Sequence, residues 1–126
     1  MQQASDYELE LMKVIWENGG SALYAEITAA LADKRIFWTK NTIITLLSRL
    51  IDKKLLKANK IGHRNKYTAV VSADEYQGIQ AESFLVKFFE GSAKGLVASL
   101  IQNELLTEQD FEELQQYWQG GDGQDA

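Results

Sequence analysis

Residues 38–50, WTKNTIITLLSRL, restrict the folding choices of this chain more than any other stretch. Ile43, Leu46, Leu47 and Leu50 recur at i, i+3, i+4 and i+7, a stripe that a helix presents to a core and a strand cannot. Thr39 sits just ahead of the stripe, where a hydroxyl caps the free amides of a helix start. The opposite face carries Asn41, Thr42, Thr45, Ser48 and Arg49, which are short hydroxyl and amide groups with one fork donor and no acid. Solvated helix faces usually mix Glu with Lys. This set instead matches the donors and acceptors that read base edges in a major groove.

The flanking sequence predicts what holds that helix. Ser5 and Glu8 form a capping-box pair ahead of Leu9, Met12 and Trp16, with Leu11 and Ile15 beside them, and Gly19-Gly20 marks the helix stop. A second helix is predicted from Ser21 to about Asp33, with Leu23, Ile27, Ala30 and Leu31 inward, and a third from near Thr39 to about Lys53. Three short helices with tight connections, the last polar on one side, give a helix-turn-helix. Two short extended runs around Gly62 then read as a hairpin, a wing whose tip and flanks carry Lys57, Lys60, His63, Arg64 and Lys66. A solvated hairpin with charges that blunt an edge strand would look similar.

Charge divides the chain of 126 residues in two. Residues 1–71 hold eleven Lys and Arg against seven acids, net +4; residues 72–126 hold two against eleven, net −9. Only the first half suits phosphate. The second opens with a capping box, Ser72 to Glu75, and a helix bearing Phe84, Leu85, Phe88 and Phe89. Gly91 and Gly95 bracket a break, after which Leu96, Val97, Leu100 and Ile101 line one face. Thr107 and Asp110 cap a last helix with Phe111, Leu114 and Trp118 at i, i+3 and i+7. So short a helical segment has little scope for a private core, and a second copy of the chain is the simplest cover for its aromatic faces. The predicted organisation is mainly α: a winged helix-turn-helix domain over 1–71, a three-helix dimerisation domain over 72–119 and a disordered tail over 120–126.

Several functions are set aside by composition. There is no cysteine, so disulfides and thiolate metal sites are absent, and one histidine supplies no catalytic constellation. Acid pairs such as Glu112-Glu113 fit a solvated helix face. No enzyme, cofactor or metal is expected. No apolar run is long enough to span a membrane, and residues 1–12 lack the basic-then-apolar order of a signal peptide, so a cytoplasmic protein is expected.

Five segments taken in order resemble the penicillinase repressor family of BlaI/MecI type: residues 5–16, 38–50, 67–68, 83–91 and 105–114. The resemblance implies a homodimer that represses antibiotic-resistance genes of the β-lactam type by binding an inverted-repeat operator with TACA/TGTA cores. It makes Thr42 and Thr45 base contacts and Arg49 a backbone contact. It also implies release by a membrane sensor-protease pathway that cuts the dimerisation domain. The family's Asn-Phe cleavage bond falls on Ser99-Leu100 here, which leaves another protease specificity or another signal open. The copper-responsive CopY branch uses a C-terminal Cys-x-Cys pair, which this chain lacks. Ile44 stands where family members often carry a polar or basic residue, and Lys54 where they carry a glycine.

The expected DNA-binding set is therefore Thr39, Lys40, Asn41, Thr42, Thr45, Arg49, His63, Arg64 and Lys66. Asn41 and the two threonines read bases, and the cations hold phosphates. His63 would bind slightly better in acid if it donates to phosphate. The alternative is a winged-helix module that binds protein, which the acidic half favours and the basic wing and third helix oppose.

Overall fold

The computed structural model describes the backbone of residues 1–125 and the side-chain surroundings of residues 1–119. In chain order the elements are α1 (Asp6–Glu17), β1 (Ser21–Leu23), α2 (Tyr24–Asp33), α3 (Lys40–Asp52), β2 (Leu56–Ile61), β3 (Arg64–Ala69), α4 (Ala73–Phe89), α5 (Ala93–Gln102) and α6 (Glu108–Asp125). The chain forms two compact units, Met1–Gln80 and Ala81–Ala126, divided inside α4. The change of composition falls earlier, at Ser72. The tail expected over 120–126 falls on residues whose side-chain surroundings are not described, and Ala126 lies outside the described residues.

The first unit is a three-helix cluster closed by a small antiparallel sheet of strand order β1-β3-β2. Leu11, Met12 and Ile15 of α1, Ile27 and Leu31 of α2, and Ile43, Leu46, Leu47 and Leu50 of α3 form one core with Leu55, Leu56 and Tyr67. Burying each of these large side chains contributes about 1.5–3 kcal/mol. The core reaches into the start of α4. Tyr76 is buried, its Oη accepts from the Ala4 N–H at 2.8 Å, and its ring lies 5.6 Å from that of Trp16. The Trp16 indole N–H in turn donates to the Val71 carbonyl at 2.9 Å.

One element departs from the sequence reading. Ser21 does not restart a helix: Ser21, Ala22 and Leu23 are a strand, paired with Thr68, Tyr67 and Lys66 of β3. The Gly20 carbonyl extends the pairing by accepting from the Ala69 N–H at 2.8 Å. With Ser21 committed to the sheet, α2 begins after Leu23. Leucine has no side-chain acceptor, so the cap is one-sided: the Leu23 N–H donates to Glu26 Oε1 at 2.8 Å.

In the second unit Gly91 (φ 82°) takes the turn, but Gly95 lies inside α5, not at its border. Ser92 is the cap, its Oγ accepting from the Gly95 N–H at 2.9 Å. Thr107 and Asp110 cap α6 reciprocally. Phe84 packs on Phe88 and Phe89, with centroids 4.8 and 5.9 Å apart. No residue of α5 is buried, and Phe111, Leu114 and Trp118 of α6 are exposed, Trp118 by 82%. No helix among the described residues is long and apolar enough to cross a membrane.

Candidate nucleic-acid interface

The third helix is held at both ends. At its start Trp38 stacks on Tyr7, centroids 5.1 Å apart, and fixes the residue before the cap. Thr39 Oγ1 accepts from the Thr42 N–H at 3.2 Å and donates to Thr42 Oγ1 at 3.0 Å. At its end the Lys54 N–H donates to Ile51 O (2.9 Å) and the Leu55 N–H to Leu50 O (3.0 Å), a complete Schellman stop. Lys54 takes the left-handed position, φ 63°, that a glycine normally fills.

A buried ion pair ties this end to α1. Glu8 is only 2% exposed, and its Oε1 accepts from Lys53 Nζ at 2.6 Å and from the Ser5 N–H at 3.1 Å. Lys53 Nζ also donates to the Gln3 carbonyl at 3.0 Å. Burial pushes the Glu8 carboxyl upward, but the bonds from Lys53 and Ser5 outweigh it and hold the group below its ordinary value of 4.5. Lys53 is therefore a structural cation rather than a free one.

The core-facing side of α3 buries Ile43, Leu46, Leu47 and Leu50, as the spacing predicts. At about 100° per residue, the exposed face centres on Asn41, Thr45 and Ser48. Asn41, Thr45, Ser48, Arg49 and Lys40 are all exposed. Thr42 is half-buried at the margin. Its hydroxyl accepts from Thr39 and keeps its own proton to donate outward. Ile44 is exposed within this polar face, and the first turn of α3 contains no acid.

The hairpin turns through Gly62 and His63, with positive φ (64°) at Gly62 alone. That sign pattern belongs to a type II′ turn, whose twist suits the flanking strands. Register then sorts the charges. Ile61 pairs with Arg64, Asn59 with Lys66 and Lys57 with Thr68. Because side chains alternate along a strand, Arg64 and Lys66 share one face, and Lys57 joins them. The buried Tyr67 lies on the other face, with Ala58 opposite. Lys57 is thus a candidate that residue type alone did not single out. His63 is exposed at the tip. Among the described residues, none of Lys40, Arg49, Lys57, Arg64 and Lys66 forms an ion pair, so their charges are free for an external anion.

The expected cleavage bond, Ser99-Leu100, lies within α5, and both residues are half-buried. The Ser99 carbonyl accepts from the Asn103 N–H at 3.0 Å and from Asn103 Nδ2 at 2.8 Å.

Comparison with known proteins covers both units. A family model described as "Penicillinase repressor" matches residues 4–120. The penicillinase repressor of Bacillus licheniformis is 34% identical over 114 residues, 90% of this chain and 88% of that protein. The methicillin resistance regulatory protein MecI of Staphylococcus aureus (strain N315) is 26% identical over 112 residues, 89% of each chain. Among solved structures, the winged-helix DNA-binding protein F93 from STIV superposes with a TM-score of 0.48 at 19% identity, covering 71% of this chain and 92% of that one. From a match that runs through the capped third helix, the basic hairpin and the helices beyond, the chain belongs to the penicillinase repressor family.

Proposed function

We propose that this protein is a homodimeric transcriptional repressor that lays α3 in the major groove of an inverted-repeat operator and sets its hairpin on the flanking backbone. The observation that carries the reading is the exposed side of α3 from Lys40 to Arg49, with hydroxyls, one amide and unpaired cations ahead of the acid Asp52 in the last turn, on a helix locked at both ends. Asn41, Thr42 and Thr45 read bases. Lys40, Arg49, Arg64 and Lys66, joined by Lys57, hold phosphates, which fixes register and supplies most of the affinity. His63 at the turn is a weaker phosphate donor.

Dimerisation through 72–119 is supported by what the second unit leaves uncovered. Phe84, Phe88, Val97, Ile101, Phe111, Leu114 and Trp118 are exposed, an apolar surface that a soluble monomer rarely carries. Leu85, Phe89, Leu96 and Leu100 are half-buried behind them. A two-fold pair would read two half-sites. The regulated genes are of the β-lactam resistance type, as for the relatives, and repression ends by proteolysis in this unit. For Ser99-Leu100 to be cut, α5 has to open locally, because proteases bind extended backbone and Ser99 is held by Asn103.

Fluorescence anisotropy on a TACA/TGTA inverted repeat and a scrambled duplex, each titrated with salt, tests the reading. The expected result is a preference of at least ~10³-fold with a steep salt slope. Equal, weak binding to both duplexes, with no duplex enriched from a random pool, would overturn it. Sedimentation equilibrium tests the dimer: a monomer at tens of micromolar removes the two-fold arrangement.

A further inference from the structure

Ile44 has no part in holding the fold. It is 40% exposed and lies outside the core that Ile43, Leu46, Leu47 and Leu50 build. Among the described residues it is the one large aliphatic side chain of α3 that is exposed. At about 100° per residue it stands roughly 60° from the centre of the exposed face, three positions after Asn41 and four before Ser48. Its nearest exposed neighbours on that face, Lys40, Asn41, Thr45 and Ser48, each carry a hydroxyl, an amide or a cation.

An aliphatic group among such neighbours has one matching feature in a major groove. The four base pairs show hydrogen-bonding groups there, and thymine alone adds an apolar one, the C5-methyl. An isoleucine cannot pair with O6, N7 or N4, and seating it on those atoms would strip their water without return. Against the thymine methyl it removes apolar surface from water on both sides. We propose that Ile44 is a specificity-determining residue that requires a thymine methyl in each half-site, beside the bases read by Asn41 and Thr45. The inference rests on the DNA-reading function above and deepens it, because it specifies one base by its chemistry.

The test starts with the operator enriched by the wild-type protein from random duplexes. Each thymine is then replaced by deoxyuridine, symmetrically in both half-sites, which removes the methyl and keeps every hydrogen-bonding group. At one thymine per half-site the wild type should lose about fourfold per methyl, or about fifteenfold on the symmetric duplex; this is about 0.8 kcal/mol per group converted at 1.4 kcal/mol per tenfold. Ile44→Ser, whose folding is checked by its melting curve, should bind the thymine and uracil duplexes alike. Uracil scanning without effect at any position would overturn the inference, and so would an unchanged uracil penalty in Ile44→Ser. Either result leaves DNA reading intact, whereas enrichment of no duplex at all removes that function and this inference together.

Discussion

Replacing either partner of the Glu8–Lys53 pair should destabilise the first unit, and the two replacements should not be equal. The contact is short, 2.6 Å, but its partners are solvated unevenly: the side chain of Glu8 is 3% exposed and that of Lys53 24%. In Glu8→Gln the ammonium loses its counter-charge but can turn to water, and the amide oxygen still accepts from the Ser5 N–H. The loss is then chiefly one charge-assisted bond, about 2 kcal/mol. In Lys53→Met a carboxylate is left in the interior with the Ser5 N–H as its remaining protein donor, which costs about 3 kcal/mol, at the low end of the range for a broken buried pair. The double variant should lie about 2 kcal/mol short of the sum, the coupling between two groups in contact.

Urea unfolding followed by circular dichroism, at fixed protein concentration and with unchanged m-value, reads all four corners of the cycle. Its pH dependence supplies a second sign. The native carboxyl of Glu8 is held below its unfolded value, so its contribution is present above about pH 4.5 and is lost as pH falls through the folded pKa. Without Lys53 burial dominates, the folded pKa rises, and the deficit of Lys53→Met should shrink from pH 7 to pH 4. Equal costs for the two single variants, with a coupling under about 0.5 kcal/mol, would refute the reasoning, because exposed pairs behave that way.

Other substitutions give equally direct outcomes. Lys54→Gly should raise stability by about 1 kcal/mol by relieving a left-handed backbone at φ 63°, whereas Lys54→Ala should not, and a higher urea midpoint for glycine alone is the check. Thr39→Ala removes the acceptor of the Thr42 N–H and should cost about 1 kcal/mol in the same assay. Arg64→Ala should weaken binding to specific and random duplexes alike and lower the salt slope by about 1. Thr45→Ala should relax discrimination at particular bases instead, and equal loss on both duplexes would remove its reading role.

How much of this was legible depended on how local the cause was. The stripe from Ile43 to Leu50, the Ser5–Glu8, Ser72–Glu75 and Thr107–Asp110 boxes and the Gly62 turn each act within eight residues, and all stand where the spacing puts them. The strand at Ser21 was not readable. Three residues carry no periodicity, and what makes them a strand is β3, more than forty residues away. Lys53 marks only the approximate end of the third helix in the sequence, and its pairing with Glu8 depends on the fold bringing together residues 45 positions apart. Lys57 joined Arg64 and Lys66 only once register had decided which side chains share a face. The family's glycine is missing at Lys54, yet the backbone keeps the glycine conformation, because the Schellman bonds at Ile51 and Leu50 dictate it.

The Ala4–Tyr76 bond joins residues 72 positions apart, and the Gln3 carbonyl next to it waits for Lys53. On a ribosome adding about 5–20 residues per second, the interval between making Ala4 and making Tyr76 is about 4–14 s, long compared with the microseconds in which a helix forms. Through that interval Lys53 is the tie on the N-terminal end of the first helix, holding Glu8 and the Gln3 carbonyl, and the Ala4 N–H still lacks its acceptor. A chain paused before residue 76 would hold all three helices and the hairpin without this clasp, which makes the start of α4 the segment whose emergence completes the DNA-reading unit.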